Sequence, residues 1–347
     1  MTDMLASEVA SPEGLVHAKP VHELADRYGR KFEYLRLSLT DVCNFRCSYC
    51  LPDGYLKTGC APDQLSVAEV RRLVSAFAEL GLWKVRLTGG EPTLRREMLE
   101  IARTISHVPG IRTLAMTTNG YRLRERAADY AASGITSLNV SVDSLDPARF
   151  AAITGHNRLP EILAGIEAAR NAGIRTIKLN SVLIGGVNDD ELDAFIGFAA
   201  DHDLTVRYIE IMRTNENVAF FAEHHRSGQA LIARLEDKGW QRAPRRPGDG
   251  PAIEFVAPME RGRIGVIAPY ARDFCASCNR LRVSASGKLH LCLFGDAAID
   301  LRPLLRDDSQ QASLVGAIKS AVFGKVAAHR LHEGNSGATP HLASIGG

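Results

Sequence analysis

Between residues 34 and 212, short β-rich runs alternate with stretches of helical period, and this alternation confines the chain to β/α units laid on a parallel sheet. Six strands are predicted: Tyr34 to Thr40, Lys84 to Thr88, Thr113 to Thr118, Leu138 to Val142, Thr176 to Val182 and Thr205 to Ile211. Between the first two, Ser66 and Glu69 form a capping box ahead of the apolar positions Val70, Leu73, Val74, Phe77 and Leu80, and Gly81 ends that helix. A chain of 347 residues accommodates one such array plus an appendage.

The strands alternate so that Leu35, Leu37 and Leu39 oppose Arg36, Ser38 and Thr40, and Val85 and Leu87 oppose Lys84, Arg86 and Thr88. Val140 and Val142 likewise oppose Asn139, Ser141 and Asp143. With helices over the apolar face, the polar face lines an interior. Cations shut inside a protein are costly unless paired, so Arg36, Lys84, Arg86 and Lys178 in one lumen call for an anionic ligand or acidic partners. The competing reading makes some of them solvated edge residues.

After the sixth unit, Thr214 to Gly250 reads as loops with a helix near Gln229 to Lys238, and Pro244 to Pro251 as an exposed linker. Strands follow near Ile253 to Val256, Arg263 to Ile267 and Arg280 to Leu293, the last bent at Ser286-Gly287. The chain divides into an N-terminal segment (1–30), a β/α body (31–215), an extension (216–333) and a flexible tail (334–347). Lys plus Arg number 42 and Asp plus Glu 40, a balance of +2 that gives no field strong enough to suggest general nucleic-acid or membrane-surface binding. No apolar run approaches the roughly 20 residues of a spanning helix, and residues 1–30 lack a signal-type core, which is the expectation for a cytoplasmic protein.

Six of the seven cysteines form two tight groups, Cys43, Cys47, Cys50 and Cys275, Cys278, Cys292. Cys60 is left over and reads as a packing or surface thiol. Clustered cysteines in a cytosolic chain point to metal or redox chemistry. Three thiolates on one short loop hold three irons of a cubane and leave the fourth open, whereas structural zinc needs a fourth ligand from elsewhere. The second group taken alone is equally half of a zinc ribbon. His224, His225, His329 and His332 are expected to be solvated rather than metal-bound.

Cys43-x3-Cys47-x2-Cys50 after the first strand, with Gly89-Gly90-Glu91-Pro92 after the second, resembles radical S-adenosylmethionine (SAM) enzymes. The resemblance implies a cluster whose open iron binds SAM and whose electron releases a 5′-deoxyadenosyl radical. With the second Cys-x2-Cys-x13-Cys, the chain resembles the GTP 3′,8-cyclase family, which opens molybdenum cofactor biosynthesis. That likeness runs through Arg36, Lys84 to Pro92, Thr117-Thr118-Asn119-Gly120, Asn139 to Asp143, Arg207 to Met212 and Cys278 to Arg282, and reaches Gly346-Gly347. It implies an α/β fold, an incomplete (β/α)6 TIM-like barrel with its open side closed by a C-terminal cluster-binding extension.

By the same resemblance, two [4Fe-4S] clusters sit on the two cysteine triads. SAM contacts Gly90, Ser141, Met212 and backbone near Tyr49, while Arg36, Arg86, Thr117, Lys178, Arg280, Leu281 and Arg282 hold GTP. Arg36, Arg280, Arg282, Gly346 and Gly347 serve catalysis, the last two by threading the tail into the site. The implied reaction removes the ribose 3′ hydrogen, joins C3′ to C8 and gives (8S)-3′,8-cyclo-7,8-dihydro-GTP. Implied partners are GTP, an external electron donor and a downstream cyclic pyranopterin monophosphate synthase, with a homodimer among the assemblies allowed. A peptide-modifying radical SAM enzyme and a zinc protein binding nucleic acid are the alternatives, and the GTP-type cations, the Gly-Gly end and the near-neutral charge oppose them. Arg207 and Met212, five residues apart, would face opposite sides of a regular strand unless a bulge or the strand end intervenes.

Overall fold

The structure is a computed structural model that describes residues 23–56, 63–246, 248–257, 261–337 and 342–345. Six parallel strands, β1 (Tyr34–Ser38), β2 (Lys84–Thr88), β3 (Thr113–Thr118), β4 (Ser137–Ser141), β5 (Thr176–Leu183) and β6 (Thr205–Glu210), lie side by side in chain order. Helices connect them: α1 (Val67–Glu79), α2 (Met98–Ser106), α3 (Leu123–Ala132), α4 (Pro147–Thr154), α5 (Leu159–Asn171) and α6 (Leu192–His202). The capping box at the start of α1 is present, with Ser66 N donating to Glu69 Oε2 at 2.7 Å and Glu69 N donating to Ser66 Oγ at 3.3 Å.

The remaining strands extend both edges of this sheet. After α7 (Val218–His224) and α8 (Gly228–Asp237) come β7 (Gln241–Arg242), β8 (Ile253–Val256) and β9 (Arg263–Ile267), and β9 pairs parallel to β6. At the other edge β10 (Arg280–Val283) pairs parallel to β1, with β11 (Lys288–His290) and β12 (Ile299–Asp300) antiparallel beyond it. The sheet order is β12-β11-β10-β1-β2-β3-β4-β5-β6-β9-β8-β7, open rather than hydrogen-bonded into a ring. The extension thus lengthens the sheet at both edges without closing it into a hydrogen-bonded ring. Helix α9 (Gln311–Phe323) follows.

Alternation places the core as the strands imply: Leu35, Leu37, Val85, Leu87, Met116 and Val140 are buried in one apolar cluster with Val70, Leu73 and Phe77 of α1. The concave side is left to the polar residues. The tail departs from expectation, because Ala343 and Ile345 are buried, Ile345 against Leu293, Phe294 and Leu331, and residues 342–345 form a 3-10 turn. The apolar side chains of this stretch supply the burial that glycine and proline around it do not.

The loop after β1 carries Cys43, Cys47 and Cys50, and the Gly89-Gly90-Glu91 backbone docks it. Gly90 N donates to Thr40 O and Glu91 N to Val42 O, each at 2.8 Å. A Cβ on Gly90 would lie 2.3 Å from the Val42 carbonyl oxygen, and one on Gly89, whose φ is +136°, 2.2 Å from that of Thr40. Only side-chain-free residues permit this approach. Gly90→Ala is therefore expected to lower the unfolding free energy by roughly 2 kcal/mol or more and to loosen the cysteine loop, checked by urea unfolding and by the iron-to-protein ratio.

Candidate active site

Register brings the cations together. Arg36 on β1 stands opposite Arg86 on β2 and Arg282 on β10, so three arginines form one row across adjacent strands. One row away, Tyr34 stands between Arg280 and Lys84. These residues line a cavity of about 870 Å³, together with Lys178 on β5, Arg207 on β6 and the three cysteines Cys275, Cys278 and Cys292. The lumen reading of Arg36, Lys84, Arg86 and Lys178 is what the register produces.

Partners differ along the wall. Arg86 Nε donates to the Tyr34 hydroxyl at 2.5 Å and its Nη1 to Met116 O at 3.1 Å, while Lys84 Nζ donates to Gly248 O at 3.1 Å. Lys178 Nζ and Arg207 Nη2 share Glu254 Oε1, at 2.8 and 2.7 Å. Burial and the Arg207 charge bring Lys178 down to about 8 in spite of that carboxylate. The Pro244 to Pro251 stretch is exposed at Pro244, Arg245 and Arg246, as a linker would be, whereas Gly248 is buried and Asp249, Gly250 and Pro251 are half-buried. Arg246, Gly248, Asp249, Gly250 and Pro251 line the cavity, and a Cβ at Gly248 would lie 2.2 Å from the Trp83 ring, so glycine lets the segment lie flat on the barrel mouth.

The first cysteine loop lies beyond this cavity's lining, under a buried Asp143 that accepts from the Tyr49 hydroxyl at 2.9 Å and from Val182 N at 2.8 Å. Burial pushes the Cys43 thiol up to about 11 and that of Cys50 to about 12, so their thiolates need cationic compensation. Three such thiols with an open fourth position suit a cubane. In the second triad, burial opposes ionisation of Cys278, yet Arg280 and Lys325 bring that thiol below its usual value. Arg30 ties this loop down through bonds to Cys275 O at 3.1 Å, Val326 O at 2.6 Å and Asp26 Oδ2 at 2.6 Å.

Of the residues named from sequence, Arg36, Arg86, Lys178, Arg280, Arg282, Met212 and the second triad share the cavity. Met212 lies two residues beyond the end of β6, which removes its parity conflict with Arg207. Gly90 serves the cysteine loop, Ser141 ends β4, and Thr117 sits beside Arg86, 3.4 Å from its Nη1. Leu281 is fully buried in the core between the two cavity arginines. Gly346, Gly347 and Cys60 lie outside the described residues, but Arg282 Nη1 donates to the carbonyl of Ile345 at 3.4 Å. Sequence reasoning passed over Tyr34, although it shares the parity of Arg36, and Glu254, which has no motif around it. His225 is not simply solvated, for its Nε2 lies 2.8 Å from Oε1 of the buried Glu210.

Residues 37–199 match the model of the Radical SAM superfamily, and residues 204–331 that of Molybdenum Cofactor Synthesis C. The chain is 56% identical over 329 residues to the GTP 3′,8-cyclase of Aeromonas hydrophila, covering 93% of this chain and 96% of that one. It belongs to the GTP 3′,8-cyclase family. The enzyme of that name from Stenotrophomonas maltophilia is 53% identical over 94% of this chain and 99% of its own, and that from Vibrio cholerae 52% over 94% and 98%. The fold resembles the crystal structure of Streptococcus suis SuiB, with a TM-score of 0.55 at 12% identity over 84% of this chain and 69% of that one. Membership makes the chain a radical SAM enzyme, and with it come SAM and a [4Fe-4S] cluster. No helix among the described residues is long and apolar enough to cross a membrane.

Within this family's cavity Tyr34 is a buried phenol among cations. Burial alone would raise its pKa, but Arg86, Arg36 and Lys84 bring it down to about 7. A group depressed in the fold stabilises it above the unfolded value near 10 and loses that contribution as pH falls through 7. In iron-free protein one tyrosine should ionise near pH 7 by ultraviolet difference absorbance, and Tyr34→Phe should abolish that step.

Proposed function

We propose that the cavity binds GTP between the two cysteine triads and that the chain converts it to (8S)-3′,8-cyclo-7,8-dihydro-GTP. The observation that carries this reading is the row Arg282, Arg36, Arg86, two buried cations flanking a half-buried one and all lining one cavity, in a chain whose family bears the name of that reaction. Cys43, Cys47 and Cys50 would hold the cluster that, with SAM, would supply the radical chemistry for removing the ribose 3′ hydrogen; joining C3′ to C8 then requires one further electron and one proton to reach the product.

The protein's own part is to bind and orient. Arg36, Arg86, Arg280 and Arg282 offer planar paired donors to phosphate oxygens, and Lys178 a compact charge. Thr117 steadies Arg86, and the Leu281 main chain runs between two of the arginines. Cys275, Cys278 and Cys292 would hold a second [4Fe-4S] cluster, which would offer a Lewis-acidic site for the guanine base, while the surrounding cavity residues bring the two ends of the nucleotide into proximity. Gly90, Ser141, Met212 and backbone at Tyr49 hold SAM on the cluster of Cys43, Cys47 and Cys50. Gly346 and Gly347 extend the tail from the Ile345 carbonyl beside Arg282 into the same cavity. In this reading 31–215 forms the barrel and 216–333 the extension, the setting is cytoplasmic, a homodimer is among the assemblies allowed, an external donor delivers electrons, and a cyclic pyranopterin monophosphate synthase takes up the product.

Anaerobic incubation with SAM and GTP, followed by mass analysis of the nucleotides, tests the reaction. Cys292→Ser should disturb the second cluster and abolish cyclisation while deoxyadenosine is still formed, and full cyclase activity in that variant sinks the two-cluster assignment. Deleting Gly346 and Gly347 should remove most product formation with folding, iron content and SAM binding intact. Turnover at the wild-type rate would reduce the tail to a plain chain end.

A further inference from the structure

The cavity wall is not uniformly short of anions. Arg207 on β6, Gly265 on β9 and Glu254 on β8 stand in one register row, so the arginine and the carboxylate are two strands apart with a glycine between them. A Cβ at position 265 would sit 3.0 Å from Arg207 Cγ and 3.7 Å from Glu254 Cγ, so the missing side chain opens the lane through which the pair meets. Glu254 Oε1 then takes both Arg207 Nη2 and Lys178 Nζ, while its Oε2 lies 3.8 Å from Arg263 Nη1. Both Lys178 and Arg207 line the cavity. Arg207 Nε, buried, has no hydrogen-bond partner, so the guanidinium keeps a donor to spare.

We propose that Glu254 is a built-in counter-anion that competes with the nucleotide's phosphates for Lys178 and Arg207, and so sets how tightly and how selectively the cavity accepts a polyanion. This rests on the GTP reading above. The opposite half of the wall, on β10, β1 and β2, has Tyr34 between Arg280 and Lys84 where this half has a carboxylate. Burial would raise the Glu254 carboxyl, but Lys178 and Arg207 hold it at about 2, so it stays ionised and cannot yield its partners by protonation. A phosphate that takes these donors must share them with the carboxylate or displace it. Charge recognition alone does not distinguish GTP from other polyanions, and a resident carboxylate penalises those that bring charge without the guanosine contacts elsewhere in the cavity.

The test is calorimetric titration of anaerobically purified holoenzyme, wild type and Glu254→Gln, with GTP and with inorganic triphosphate. The amide should bind both at least about tenfold more tightly, with the larger gain for triphosphate, so that discrimination narrows. Turnover should show a lower KM without a higher kcat. Glu254→Asp, which keeps the charge but shortens the reach, guards against a Gln variant that fails to fold and should gain by a smaller factor. Unchanged or weaker binding in the folded variants overturns the inference and makes Glu254 a support for its two cations. Wild-type protein that binds no GTP overturns the nucleotide reading itself, a separate result.

Discussion

Three arginines in one register row, Arg282, Arg36 and Arg86, are the constraint on which the rest of the structure depends. Neighbouring strands are only about 4.8 Å apart, so positive charges in such a row repel at close range, and burial adds a desolvation cost to each. Arg86 and Arg282 are both buried, and desolvation with the neighbouring arginines pushes Arg282 well below its ordinary value. A parallel array that curves these side chains inward is stable only if its outer face buries enough apolar surface and its inner face finds acceptors. The leucine and valine rows against α1 and its successors meet the first condition, and Tyr34, Met116 O and the Ile345 carbonyl begin to meet the second.

The acceptors come largely from the extension, which is why it cannot be a loosely tethered appendage. β8 supplies Glu254 to Lys178 and Arg207, the stretch around Gly248 supplies a carbonyl to Lys84, and the last described residues reach Arg282. β10, itself part of the extension, adds two of the cavity's arginines while pairing in parallel with β1. Both halves of the chain thus contribute charge and compensation, and the inner face is assembled only when both sheet edges are complete.

The two cysteine loops are held by different means. The first is docked by close backbone approach at Gly89 and Gly90, and Glu91 beneath it accepts from Thr93, Thr118 and Asn119. The second depends on Arg30, which reaches Cys275 from 245 positions away in sequence. Burial raises the thiols of the first loop, where a cluster's iron supplies cationic compensation, while Arg280 and Lys325 lower the Cys278 thiol of the second.

Much of this was legible from residue order. Period-two alternation in Tyr34 to Thr40 and Lys84 to Thr88 determined which side chains face inward, because pleat geometry admits only two faces, and the spacing of Cys43, Cys47 and Cys50 determined that one loop carries three thiols. What tertiary structure alone decided was who compensates whom. Glu254 reaches Arg207 across a vacant Gly265, Gly248 to Pro251 fold against the cavity, Met212 escapes its strand's parity by lying past the end of β6, and Ala343 and Ile345 pack where a free tail was expected. These are pairings between segments far apart in the chain, governed by register across strands and by shape at close approach, and a local pattern holds no record of which distant strand becomes its neighbour.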